Sequence, residues 1–121
     1  MRSTRNAIMG VALLAGLGFT TQVHTFASPA AAKHVKITTK TGGPAFFMFS
    51  PLKTTVSVGT VVTWTNTSGQ VPHNVRSMTS SWHFKKDLGP HTSVSYTFTK
   101  KGVYKYQCTI HPGMKGQITV K

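Results

Sequence analysis

The sequence predicts an all-β fold, a Greek-key sandwich or small barrel of about eight strands, and three observations carry that prediction. After residue 32 no stretch long enough for a helix repeats apolar side chains at the helical period. Short apolar–polar alternations rich in Val, Thr, Phe and Tyr recur instead. Gly- and Pro-bearing turn signals separate them at the short spacing typical of such folds.

Val35, Ile37 and Thr39 alternate with polar neighbours and read as the first strand, which Gly42-Gly43-Pro44 ends. Phe46 to Phe49 resumes the strand pattern before Pro51. Thr54 to Val58 is β-branched, and Gly59 marks a turn. From Thr60 to Asn66, Val62 and Trp64 share one face, as in a half-buried strand. A polar loop, Thr67-Ser68-Gly69-Gln70, leads to a strand over His73 to Ser77 and a short one over Ser81 to Phe84. Leu88-Gly89-Pro90 turns the chain into Thr92 to Thr99, where Val94, Tyr96 and Phe98 alternate. Lys100-Lys101-Gly102 turns it again, and Val103 to Cys108 and Gly116 to Val120 complete the set.

The N-terminal third has a different character. Arg2 and Arg5 precede an uncharged apolar run from Ala7 to Phe19, and small residues follow from Ala27 to Ala32, the layout of a secretory signal peptide. The run is shorter than the roughly 20 residues that span a bilayer. The expectation is therefore residues 1–32 as signal peptide and linker and residues 33–121 as one domain. That domain is expected to be periplasmic or otherwise exported, monomeric, and without a membrane span after processing. About 90 residues suit a single core.

Fourteen Lys and Arg face a single carboxylate side chain, Asp87, for a formal charge of +13. The lysines are spread along strands and turns rather than gathered in one basic tract, which argues against nucleic acid as the partner. Scarcity of carboxylates also predicts tolerance of acid, because protonation of paired carboxylates drives most acid unfolding.

One cysteine cannot form an internal disulfide, so Cys108 is a buried thiol, a reactive one or a metal ligand. Its neighbours point to the last. Cys108-Thr109-Ile110-His111-Pro112-Gly113-Met114 sets a thiol, an imidazole and a thioether at three-residue intervals in a loop between two strands. Two imidazoles, a thiolate and a weak thioether suit copper in both of its common oxidation states. His73, in Pro72-His73-Asn74-Val75 after a polar loop, is the best placed source of the second imidazole.

Phe49-Ser50-Pro51, Val58-Gly59, Val62-Thr63-Trp64-Thr65-Asn66, Pro72-His73-Asn74-Val75 and the Cys108–Met114 loop together resemble a plastocyanin-type cupredoxin, with a short ligand loop most similar to that of amicyanins. The resemblance implies one copper ion at a type 1 site, with His73, Cys108 and His111 as equatorial ligands and Met114 as axial ligand. It implies that Asn74 bonds across to the Cys108 loop, and that His111 presents a ring edge near the surface. Thr60 stands where relatives often carry an acidic residue.

The implied function is single-electron transfer between redox proteins, the partner carrying an acidic docking surface. Catalysis is not expected: a binuclear centre needs a second cysteine, and four protein ligands leave no obvious place for a small-molecule substrate. The alternative is a copper-binding protein for periplasmic storage, delivery or resistance. His34, His83 and His91 are expected on the surface or in strands, Met48, Met78 and Phe46 to Phe49 in the core with Trp64, and Trp82 in either place.

Overall fold

The computed structural model describes residues 29–40 and 46–121. The apolar run of the expected signal peptide and the Gly42-Gly43-Pro44 turn lie outside the described residues. Within the described residues nine strands follow in order: β1 (Ala32–Lys40), β2 (Phe46–Ser50), β3 (Lys53–Val56), β4 (Val61–Asn66), β5 (His73–Ser77), β6 (Lys85–Leu88), β7 (Ser93–Thr97), β8 (Gly102–Gln107) and β9 (Lys115–Val120). They form a four-stranded sheet, β2-β1-β4-β7, and a five-stranded sheet, β3-β9-β8-β5-β6. Two pairs, β1 with β4 and β3 with β9, are parallel, and the other pairs are antiparallel. Among the described residues no helix is long and apolar enough to cross a membrane.

The period-2 alternation read in the sequence is the physical reason for two layers. Val35 and Ile37 on β1 and Val62 and Trp64 on β4 are buried against Tyr104, Tyr106, Ile118 and Val120 from β8 and β9. On the opposite face of the first sheet, Thr63 and Thr65 pair through their hydroxyls with Ser95 and Ser93 across the β4–β7 ladder, at 2.7 and 2.8 Å. Trp64 lies at the centre, its ring packed against those of Trp82, Phe84, Phe98 and Tyr106. Trp82 is thus a core residue.

Tyr106 and Gly116 are cross-strand partners, and a Cβ at residue 116 would overlap the Tyr106 ring. Glycine there lets the aromatic side chain lie against the backbone of β9. Burial pushes the Tyr106 phenol up to about 12, the Trp64 side chain offsetting this only in part.

Three expectations are corrected. Ser81 to Phe84 is not a strand: the chain turns through it, with Trp82 N–H on Thr79 C=O, and the strand that pairs with β5 begins at Lys85. Lys85, Lys86 and Asp87 are exposed with Leu88 alone buried, so β6 carries no apolar alternation to betray it. Of Phe46 to Phe49, only Phe49 is fully buried, because a strand sends alternate side chains to opposite faces and Phe46 is half exposed. Met78, just past the end of β5, is also exposed rather than core.

Candidate metal centre

The loop joining β8 to β9 is shaped by its own sequence. Met114 N–H donates to His111 C=O at 3.2 Å, with Pro112 and Gly113 at the corner and Gly113 at φ 86°. That is the arrangement of a type II turn, which favours proline first and needs a residue tolerant of positive φ second. Cys108 N–H donates to Met114 C=O at 2.9 Å and closes the loop where the ladder stops. Cys108, His111 and Met114 are therefore set by one hairpin.

His73 is the first residue of β5, paired with Leu88 and almost fully buried. Its Nδ1 lies 3.9 Å from Cys108 Sγ, and His111 Nδ1 lies 3.7 Å from the same sulfur. One donor atom from each of the three side chains falls within 4.8 Å of the others. A first-row ion bonded to sulfur at about 2.3 Å and to nitrogen at about 2.0 Å, with the angle opened to about 120–130°, spans about 3.7–3.9 Å between those donors. Both separations from sulfur would suit one ion shared by the Cys108 thiolate and an imidazole of His73 or His111. Met114 is buried beside them at the end of the loop.

The two ligand segments are tied together. Thr109 N–H donates to Asn74 Oδ1, and Asn74 Nδ2 donates to Thr109 Oγ1, both at 2.9 Å. This is the cross-link expected of Asn74. Phe47 packs its ring against both imidazoles, with centroids 4.8 Å from His73 and 4.7 Å from His111. Burial, helped by the neighbouring His111, lowers His73 to about 4, so the imidazole is neutral and its lone pair free at neutral pH.

Three contributors escaped the sequence reading: Phe47, Asn66 and Ser68. Ser68 Oγ lies 2.7 Å from His73 Nε2 and 2.8 Å from Asn66 Oδ1. Asn66, fully buried at the end of β4, places its Nδ2 near the carbonyls of Val71, Leu88 and Gly89. The only sequence signal was an Asn closing a strand before a polar loop, which marks a turn without naming its partners. His34, His83 and His91 are exposed and stand apart from the cluster.

His111 and Met114 border an open hollow with Phe46, Phe47, Met48, Leu52, Pro112 and Lys115. Leu52 and Lys115 also border a second hollow, which adds Lys53, Met78 and Lys105 on the solvent side of the five-stranded sheet.

The sequence pattern of the copper-binding proteins of the plastocyanin/azurin family matches residues 33–121. Amicyanin-alpha of Methylorubrum extorquens is 35% identical over 98 residues, 78% of this chain and 76% of its own. Plastocyanin A/B of Petroselinum crispum is 33% identical over 98 residues, 71% of this chain and 97% of its own. A solved purple cupredoxin from Nitrosopumilus maritimus superposes with a TM-score of 0.63 at 34% identity, covering 74% of this chain and 99% of that one.

Proposed function

Since the chain belongs to the plastocyanin/azurin family of copper-binding proteins, we propose that it is an exported, monomeric single-electron carrier whose copper is held by His73, Cys108, His111 and Met114. Copper supplies the one-electron change between Cu(II) and Cu(I), and this donor set is a compromise between the preferences of the two states. The observation that carries the reading is the convergence of one thiol and two imidazoles within 4.8 Å.

The protein's own part is to hold those donors still and dry. His73 and Cys108 are buried, Phe47 covers both imidazoles, and the Asn74–Thr109 pair joins β5 to the ligand loop. Donors locked by packing and hydrogen bonds need little rearrangement when the charge changes. His111 is the least buried member of the trio, partly exposed beside Pro112 and half-exposed Phe46 and Leu52. A partner meets that apolar rim in a small, transient contact of the kind redox proteins use. Lys53, Lys105 and Lys115 flank it and favour a partner with an acidic docking surface.

Residues 1–32 supply a cleaved signal peptide and a linker into β1, whose Ala32 pairs with Val61; a family match that starts at Lys33 supports the reading. Storage or delivery uses the same donors but requires ready release, which burial of Cys108 and His73 opposes.

The test is the visible spectrum of residues 33–121 after addition of Cu(II), followed by reduction and re-oxidation. An intense blue thiolate-dependent band that cycles reversibly and is missing in Cys108→Ala supports the carrier. Copper bound to the folded protein without that band would sink it.

A further inference from the structure

The hydrogen bonds around Asn66 and Ser68 fix where a proton sits on His73. Asn66 Nδ2 lies 2.8, 3.3 and 3.2 Å from the carbonyl oxygens of Val71, Leu88 and Gly89. A flipped amide would aim its oxygen at three acceptors, so the orientation is unambiguous. Asn66 Oδ1 is then the atom that faces Ser68, and it accepts from Ser68 N–H at 3.1 Å.

Ser68 has one hydroxyl proton and two neighbours, Asn66 Oδ1 at 2.8 Å and His73 Nε2 at 2.7 Å. Given to His73, it would leave Ser68 Oγ and Asn66 Oδ1 facing each other lone pair to lone pair at hydrogen-bond distance. Given to Asn66, it leaves Ser68 Oγ as an acceptor, and His73 Nε2 must carry the proton that fills it. The Asn66, Ser68 and His73 side chains are then mutually satisfied, and the last donor, Asn66 Nδ2, ends on the backbone carbonyls of Val71 in the loop after β4, of Leu88 at the end of β6 and of Gly89 just past it.

We infer that Ser68, itself oriented by Asn66, is a positioning residue that holds His73 as its Nε2–H tautomer, with Nδ1 bare and turned toward Cys108. Only the link to copper rests on the function proposed above; the tautomer follows from donors and acceptors alone. A ligating histidine whose other nitrogen donates to a fixed acceptor is held in orientation and is the more basic for it.

The test uses residues 33–121 with ¹⁵N-labelled histidine, first without metal and then titrated with Cu(I). The wild type should show His73 protonated at Nε2, with a proton that exchanges slowly with solvent. In Ser68→Ala the slow exchange should be lost and Cu(I) binding should weaken by about 10–100-fold. Ser68→Thr, which keeps the hydroxyl, should restore both, while the backbone amide spectrum of β8 and β9 stays that of the wild type in all three. A proton on Nδ1 in the wild type, or Ser68→Ala with unchanged exchange and unchanged affinity, overturns the assignment. Cu(I) that leaves the His73 ring signals unmoved removes His73 from the ligand set, a separate failure that refutes the copper link and not the tautomer.

Discussion

Replacing Asn74 by alanine should weaken the fold by an amount that a second substitution can apportion. Two hydrogen bonds disappear, Asn74 Oδ1 from Thr109 N–H and Asn74 Nδ2 to Thr109 Oγ1. At about 1 kcal/mol net for each, the loss is about 2 kcal/mol. Thr109 is exposed, so its freed N–H can turn to water and adds no full desolvation cost. For a domain of this size that lowers the melting temperature by about 8–16 °C. Thr109→Val removes only the side-chain half, but it strands a buried Asn74 Nδ2 and should cost about 1–2 kcal/mol. The double variant has neither group left to strand and should cost about 2 kcal/mol, where simple addition gives about 3–4 kcal/mol. Urea unfolding of the four metal-free proteins closes the cycle. Additive losses would mean that Asn74 and Thr109 do not act as a clamp, and that the ligand loop is held by its hairpin alone.

Gly116→Ala should destabilise by about 1–3 kcal/mol or more, since the new methyl overlaps the ring of buried Tyr106; a wild-type urea midpoint would show that the ring can move aside. His73 is lowered from 6.5 to about 4, so its protonation favours the unfolded chain, and metal-free stability should fall as pH drops from about 6.5 to about 4. That slope should vanish in His73→Gln, and urea midpoints across this range decide it. In the copper-reduced protein, oxidation by an anionic complex such as hexacyanoferrate(III) should slow as salt rises, while a cationic oxidant speeds up. Stopped-flow traces should show a larger loss of anionic rate when Lys53, Lys105 and Lys115 become Glu than when Lys33, Lys85 and Lys86 do. Equal losses would remove the sheet-face lysines from the docking route.

What the sequence disclosed depends on how far apart the cooperating residues are. Cys108, His111 and Met114 share one loop, and Pro112-Gly113 gives its turn, so the spacing alone exposes a metal-binding chemistry. His73 is 35 positions from Cys108, and no local pattern unites them; its place after a polar loop made it a candidate, and the resemblance of its flanking residues to a known motif made it a ligand. Ser68 and Asn66 act through hydrogen bonds whose partners are fixed only when the β4–β5 loop folds back beside His73. A hydroxyl in a polar loop looks the same whether or not an imidazole faces it. β6 was missed for a related reason: its strand conformation comes from pairing with β5, while three of its four side chains face water.

The charge, read as a composition, suggested acid tolerance and a basic surface, and the structure separates the two. Asp87 is exposed and makes one long contact with Arg76, at 3.4 Å, a surface ion pair that adds little to stability. Among the described residues, His73 is a group whose protonation opposes folding of the metal-free protein, and composition cannot mark it. The lysines at 33, 36, 53, 85, 86, 100, 101, 105, 115 and 121 are all exposed. Spread over both sheets, they create a broad positive field that speeds encounter but specifies no orientation. Register supplies the local pattern: Lys53 and Lys105 flank Gln117 on adjacent strands, and Lys115 is two residues from Gln117 on the same face. That row meets the apolar rim at Leu52 and Lys115. Orientation of a partner therefore has to come from the junction of this row with the His111 rim, and the remaining charge acts mainly on the rate of arrival.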